Sequence, residues 1–192
     1  MKRARLWIVL GLLAAATAAA GAILLWPGSG SGTRTGGPLA YPDDYYDTLG
    51  FTIHVREPYS WGLVLLRNKG DALAVVRRIA LVETSGSVKV VGTYAVPEDR
   101  PQTVGFAPGF DPADGEPVEG LVVPPGDGHG FQIVFGLQVD AKGISEFRSV
   151  RVEYDVGDTH YAATLDHSVA LCAPVETYEE CPAPTVTGPV SG

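Results

Sequence analysis

The sequence predicts an all-β fold, a two-sheet antiparallel β-sandwich preceded by one N-terminal transmembrane helix. Three observations lead to this prediction. A charge-free apolar stretch, Leu6–Trp26, is as long as a membrane-spanning helix. Several later windows alternate apolar and polar residues with the period of a β-strand. The 24 glycines and 15 prolines suit many short strands joined by turns.

The stretch Leu6–Trp26 has the length of a single-pass anchor. At about 1.5 Å per residue, a helix over this stretch spans about 30 Å, the thickness of a hydrocarbon core. Trp7 and Trp26 lie near its ends, where indole rings prefer the membrane interface. The alternative is a cleaved signal peptide, because the run Ala18–Ala20 satisfies a small-residue cleavage rule. The apolar residues continue past that run, so we favour the uncleaved anchor.

Basic residues flank the anchor on one side only. Lys2, Arg3 and Arg5 precede it, and the next basic residue is Arg34. The positive-inside bias therefore predicts a cytoplasmic stub, residues 1–5, and an extracytoplasmic domain held at the cell membrane. The formal charge is −8, and without the three basic residues of the stub it is −11. An acidic domain repels phosphate backbones, so we expect no nucleic-acid partner.

Composition divides the chain after the anchor into three parts. Residues 27–42 are rich in Gly, Ser and Pro, which predicts a flexible linker. Residues 43–181 hold the strand patterns and form the β-sandwich domain, which is long enough to bury a core. Residues 182–192 are rich in Pro, Gly and Thr, and we expect a disordered tail. A small closed barrel is the alternative arrangement of the same strands.

Apolar stripes predict the individual strands. In one window Val88, Val90, Tyr94 and Val96 share a face by their spacing, and the other clean stripes are Phe51–Val55, Phe131–Val139 and Val150–Val156. Two further windows, Trp61–Arg67 and Leu73–Val82, are apolar on both faces. We expect these two to be central strands or to contain a bulge near Arg77 and Arg78.

One hairpin can be predicted together with its register. Val156 and Thr159 flank Gly157 and Asp158, a pair suited to a two-residue turn. This register sets three pairs of stripe residues opposite each other: Tyr154 with Tyr161, Val152 with Ala163, and Val150 with Leu165. A slip by one residue would turn one stripe toward water, so turn and stripes support the same register.

Cys172 and Cys181 are the two cysteines of the chain. They lie outside the membrane in the predicted topology, where disulfides persist, so we expect a bond that pins the tail to the last strand. Closing a loop of this length stabilises a fold by about 2.5–3 kcal/mol in the chain-entropy model. A reactive or metal-binding thiol pair is the alternative.

The histidines are His54, His129, His160 and His167. His54 and His160 alternate out of the apolar stripes, so we expect both to be exposed. The hairpin register sets His160 opposite Asp155, as a surface ion pair, and Arg148 opposite His167. His167 falls on the inward stripe, which favours a core or rim histidine over a metal ligand.

Acidic residues cluster at Tyr41–Asp47 and at Asp111–Glu116. The first cluster mixes aromatic and acidic residues, and either caps the sandwich edge or forms a contact surface. The second resembles a calcium loop in composition, but it lacks the alternation of acidic ligands in such loops, so we favour a solvated loop.

Two stretches resemble the turns of bacterial immunoglobulin-like modules. Leu66–Ala72 contains an N-x-G turn, and Leu121–Gly126, which precedes the Phe131–Val139 stripe, is similar to their L-x-P-G approach to a later strand. The layout also resembles membrane-anchored proteins of high-GC actinobacteria. The resemblance covers roughly residues 50–172. It implies an immunoglobulin-like fold and no functional residues.

These observations favour a non-enzymatic, membrane-tethered, extracytoplasmic interaction or structural module of the bacterial cell envelope, with a protein partner there. The sequence offers no nucleophile elbow and no phosphate-binding glycine loop, so we expect neither catalysis nor a cofactor. The alternative is a ligand- or metal-binding envelope protein that uses the acidic loop or the exposed histidines.

Overall fold

The computed structural model describes residues 32–40, 47–100, 105–126, 128–173 and 181. Their strands are β1 Arg34–Thr35, β2 Leu39–Ala40, β3 Asp47–Thr52, β4 Tyr59–Asn68, β5 Ala74–Val82, β6 Val88–Pro97, β7 Phe106–Pro108, β8 Val122–Val123, β9 Phe131–Val139, β10 Gly143–Val156 and β11 Thr159–Ala173. A single-turn 3-10 helix, Pro112–Asp114, completes the described elements. The prediction of an all-β fold is confirmed for this part of the chain.

The chain separates into two compact units, Met1–Gly32 and Thr33–Gly192. The predicted anchor, with Trp7, Trp26 and the basic stub, lies outside the described residues, and so does the predicted tail, residues 182–192. Over the described ranges, no helix has both the length and the apolar character needed to cross a bilayer.

The strands form two sheets. Sheet 1 has the order β1-β11-β10-β5-β8, with β3 also paired to β11. Sheet 2 has the order β2-β4-β9-β6, with β7 also paired to β4. Most neighbours are antiparallel, as predicted, but β1 and β3 run parallel to β11. The chain passes from β1 in sheet 1 to β2 in sheet 2 and then back to β3 in sheet 1. Neither β1 nor β3 is joined to β11 by a hairpin turn, so no turn forces either strand to run antiparallel to β11.

One apolar core lies between the two sheets. The largest side chains in it are Trp61 and Phe135 from sheet 2 and Tyr154 and Phe147 from sheet 1, all 0% exposed. The Phe131–Val139 stripe faces this core as predicted, because Ile133, Phe135, Leu137 and Val139 are fully buried in it. Each buried side chain of this size stabilises the fold by about 1.5–3 kcal/mol through removal from water.

The predicted hairpin is confirmed from its turn as far as Val150. Val156 pairs with Thr159, and the three stripe pairs, Tyr154 with Tyr161, Val152 with Ala163 and Val150 with Leu165, stand opposite each other. Farther from the turn the register shifts between Phe147 and Ser149. Arg148 therefore stands against two residues of β11, His167 and Ser168, rather than against His167 alone. The prediction that Arg148 directly opposes His167 is wrong because of this irregularity.

Bulges explain why two other stripes behave differently. In β5 the register shifts opposite Glu153 and Tyr154, which makes Arg77 the extra residue at the predicted place. In β6 it shifts between Val90 and Gly92. This second bulge reverses the side-chain alternation, so Tyr94 and Val96 pack in a separate cluster on the outer face of sheet 2 while Val88 packs against the main core. The prediction that Val88, Val90, Tyr94 and Val96 share one face is therefore wrong.

The segment before β3 is part of the domain. The sequence predicts a flexible linker over residues 27–42, but β1 pairs with β11 and β2 pairs with β4. Leu39 is 3% exposed in the main core. The Tyr154 hydroxyl donates a hydrogen bond to the Gly36 carbonyl (2.8 Å) and accepts one from the Leu39 N–H (3.2 Å). The ordered domain thus begins before residue 43. Composition could not predict this start, because these contacts join residues far apart in the chain.

Asn68 joins the two turns that resemble those of immunoglobulin-like modules. Its side-chain amide donates hydrogen bonds to the carbonyls of Ala72 (2.8 Å) and Val123 (3.0 Å). Its side-chain oxygen accepts one from the Gly70 N–H (3.0 Å), and its own carbonyl accepts one from Gly126 (3.0 Å). Asn68 is 1% exposed, and this set of partners offsets the cost of burying it.

We predict that Tyr154→Phe releases the segment 33–40 from the domain. The substitution keeps the ring but leaves the Gly36 carbonyl and the Leu39 N–H without their partner, at a cost of about 2 kcal/mol. Trypsin should cleave after Arg34 faster than in the unaltered protein, and urea unfolding should shift to lower concentration. Tyr161→Phe is the matched control, because the Tyr161 ring stacks on Tyr154 at 5.4 Å and its hydroxyl bonds to no described residue. Equal cleavage rates in the two variants would contradict the prediction.

Candidate functional site

His167 lies in the core, as its place on the inward stripe predicts. It is 1% exposed. Its ring meets Trp61 edge to face, with ring centroids 5.5 Å apart. Burial lowers the pKa of His167 to about 4, because the apolar surroundings disfavour the charged imidazolium. The side chain is therefore a neutral core residue at neutral pH.

His160 lies on the outer face of sheet 1 and bonds to Asp155 as the hairpin register predicts. The His160 Nδ1 is 2.8 Å from one oxygen of Asp155, and Arg77 donates to the other oxygen at 2.6 Å. These hydrogen bonds from His160 and Arg77 lower the pKa of the Asp155 carboxyl. His160 is half-buried by this contact rather than fully exposed, whereas His54 and His129 are exposed. The three side chains lie on an open strand surface, with the geometry of a solvated ion pair.

The second acidic cluster, Asp111–Glu116, lies in an ordered segment that packs on sheet 2 and pairs with β6. The Asp111 carboxylate caps the 3-10 helix by accepting a hydrogen bond from the Ala113 N–H at 2.9 Å. Glu116 then exchanges two backbone hydrogen bonds with Ala95 of β6, at 2.8 and 2.9 Å. Within the described ranges no three His, Cys, Asp or Glu side chains are placed to hold a metal ion. Residues 41–46 of the first acidic cluster lie outside the described residues.

Phe110, which precedes this segment, packs on the outer face of sheet 2. It covers Gly92 of β6 and Gly136 of β9, which stand opposite each other. A Cβ atom at Gly92 would lie 2.7 Å from the Phe110 ring, and one at Gly136 would lie 2.6 Å from it. The ring also packs beside Tyr94, at 5.5 Å between centroids. Glycine at both positions therefore leaves the space on the sheet surface that the Phe110 ring occupies.

A shallow cleft lies where β6 ends and β9 begins, with a volume of about 120 Å³. Glu98, Asp99, His129 and Phe131 contribute to its walls. Glu98 forms an ion pair with Arg67, whose hydrogen bond lowers the pKa of the Glu98 carboxyl. The cleft is thus lined by one neutralised carboxylate and exposed polar groups. This is less than the convergent polar set that usually marks a small-molecule site.

Cys172 and Cys181 form the predicted disulfide, with their Cα atoms 5.6 Å apart. Cys172 belongs to β11, and the Sγ of Cys181 lies 3.7 Å from the Ala170 carbonyl. The bond therefore holds residue 181 against the outer face of the last strand, as the sequence predicts.

The remaining candidate surface is the edge of each sheet, where backbone N–H and C=O groups of the outer strands can bond to another strand. We call the backbone of residues 77–82 on the side away from β10 the β5 edge. Among the described residues, β8 and the turn before it pair with β5 only at Ala74, Val75 and Val76. Sequence patterns could not reveal this edge, because a strand's neighbours depend on residues far away in the chain. Only the bulge at Arg77 could be predicted from the sequence.

Comparisons with known proteins give little to set beside this geometry. No family model matches the chain, and no curated protein matches it. Among solved structures, the VesB protease of Vibrio cholerae is similar over 71% of this chain and 32% of its own, with 8% identity and a TM-score of 0.37. At this similarity we infer neither activity nor substrate from that protease.

We predict that His167 makes stability depend on pH between about 6.5 and 4. The pKa of His167 falls from 6.5 unfolded to about 4 folded, so the unfolded chain binds more protons in this range. The free energy of unfolding is therefore highest above pH 6.5. It decreases as the pH falls toward 4, by about 3 kcal/mol in total. His167→Phe should flatten the denaturation free energy measured between pH 7 and 4.5.

His54→Gln serves as the control for this measurement, since His54 is exposed on the polar side of its stripe. It should keep the pH dependence of the unaltered protein. A His167→Phe variant whose stability falls as steeply with acid as the unaltered protein would refute the assignment.

Proposed function

We propose that the chain is a non-enzymatic interaction or structural module of the bacterial cell envelope. In this proposal the segment Leu6–Trp26 anchors it in the membrane, with Lys2, Arg3 and Arg5 in the cytoplasm. An immunoglobulin-like sandwich then faces the outside, where it contacts a protein partner. The sequence of Leu6–Trp26 supports the anchor. The fold and the cysteine pair support an exported domain.

The Cys172–Cys181 disulfide is the observation that carries the proposal. Disulfides form and persist in extracytoplasmic compartments and are rare in a reducing cytosol. This one joins β11 to residue 181, so it ties down the end of the domain and has the character of a structural bond. Its compartment agrees with the side of the membrane that the basic stub assigns to the domain.

The strand order supports an immunoglobulin-like arrangement. Immunoglobulin constant domains place strands A, B, E and D in one sheet and C, F and G in the other. If β2, β4, β5, β6, β9, β10 and β11 are lettered A to G in chain order, sheet 2 reads A-B-E-D and the centre of sheet 1 reads G-F-C. The inter-sheet disulfide of antibody domains has no counterpart here, since the two cysteines bond to each other.

The placement of the polar side chains supports an interaction role over catalysis. His167 serves as a core residue, Asp111 caps a 3-10 helix, and Asp155 is engaged by His160 and Arg77. Each of these groups has a structural role in the described part of the domain. The surface left to a partner therefore consists of strand edges and loops.

The proposal predicts an exported C-terminus. The full chain should be fused at residue 192 to alkaline phosphatase or to green fluorescent protein, since the first is active outside the cytoplasm and the second fluoresces inside it. We expect phosphatase activity without fluorescence. Deletion of residues 6–26 is the control and should abolish the phosphatase activity.

A second readout follows the cysteines in the same cells. Maleimide should modify Cys172 and Cys181 only after reduction, because both are bonded in an oxidising compartment. A fluorescent, phosphatase-inactive fusion whose thiols react without reduction would overturn the proposal.

A further inference from the structure

The two sheets differ in how their outer strands are protected against pairing with another chain. In β6, Ala95 already pairs with Glu116, and the other half of the strand holds Lys89 and the bulge at Val91. Lysines and bulges are the devices with which proteins block exposed edges. The edge of β6 is therefore closed to a regular partner strand.

The β5 edge lacks such protection beyond its first two residues. Arg77 and Arg78 occupy the bulge, but the next four residues read Ile79, Ala80, Leu81 and Val82. These four contain no charge, no proline and no glycine, and none of them is fully exposed. Among the described residues no strand pairs with this side of them.

The register identifies which backbone groups point outward along this edge. Val76 directs its N–H to Leu121 and its C=O to Gly120, away from β10. The extra residue at the bulge delays the alternation by one position, so the next residues facing the edge are Ile79 and Leu81. Their side chains pack against the main core, which holds the strand in place while their N–H and C=O groups face outward.

We propose that the β5 edge pairs antiparallel with the β5 edge of a second copy of this chain, about a two-fold axis at Ala80. In this register Ile79 of each copy stands opposite Leu81 of the other, and the two copies exchange four backbone hydrogen bonds. The two Ala80 side chains meet at the axis. An edge whose outward groups are centred on one residue is self-complementary, as a two-fold interface requires.

Charge placement is compatible with this register. Arg78 of one copy stands opposite Val82 of the other, so no like charges face each other across the axis. Arg77 is engaged by Asp155 within its own copy. The acidity of the domain acts over longer distances, where salt screens it beyond about 8 Å.

The inference rests on the proposed function, because the membrane tether supplies the local concentration. A four-residue edge buries less than the roughly 1,200 Å² of a standard stable interface. Copies confined to one membrane face meet at a much higher effective concentration than copies free in solution. The pairing is therefore a contact between neighbouring anchored copies.

Cysteine crosslinking of the full chain in native membranes tests the register. Ala80→Cys places the introduced thiols at the axis, with Cβ atoms about 4.5–5.5 Å apart, within reach of a disulfide after a small adjustment. Under mild copper phenanthroline oxidation we expect roughly tenfold more covalent dimer than from Arg78→Cys, whose two Cβ atoms stand about 14 Å apart in this register. The native cysteines are already bonded to each other and do not compete.

A mixed experiment makes the outcome decisive. Membranes holding both Arg78→Cys and Val82→Cys chains should yield the mixed dimer, because those positions face each other, while membranes with Arg78→Cys alone should not. No dimer from Ala80→Cys, or equal dimer from Ala80→Cys and from Thr164→Cys on β11, two strands inward from the β5 edge, would overturn the inference. Export in the phosphatase assay would then still support the proposed function, so the two failures are distinguishable.

Discussion

Packing of the two sheets against each other around Trp61 is the interaction on which the structure depends. A single sheet exposes one apolar face, and neither sheet here is covered by helices in the described residues, so each is stable only against the other. Trp61 of sheet 2 meets Phe147 and His167 of sheet 1, with ring centroids 4.9 and 5.5 Å apart. A polar histidine is held neutral at this contact because the surroundings exclude water.

This constraint also shapes what the surface can do. Inward positions of nearly every strand belong to the core, and several outward charges of sheet 1 form ion pairs on its surface, as Arg77 with Asp155 and Arg151 with Glu153 do. On the outer side of sheet 2, the Phe110 ring covers Gly92 and Gly136. In the described part of the chain, the periphery of the sheets is the surface that remains for recognition.

Local patterns allowed the sequence to predict much of this. The Phe131–Val139 stripe and the β10–β11 hairpin could be read because period-two alternation and turn chemistry act over a few residues. The Cys172–Cys181 bond followed from compartment and spacing. The parallel pairing of β3 with β11 and the ordering of residues 33–40 by Tyr154 could not, because both join residues more than a hundred positions apart. The bulge in β6 likewise reversed a stripe that simple alternation had placed on one face.

A double-mutant cycle between Trp61 and Phe147 tests the shared core most directly. Both side chains are 0% exposed and belong to different sheets. The free energy of unfolding should be measured for Trp61→Phe, Phe147→Leu and the double variant of the domain from residue 33 onward. We predict a coupling energy of about 1 kcal/mol, since residues in one packed core are not independent. Additive effects, within about 0.3 kcal/mol, would contradict the account of one core between two sheets.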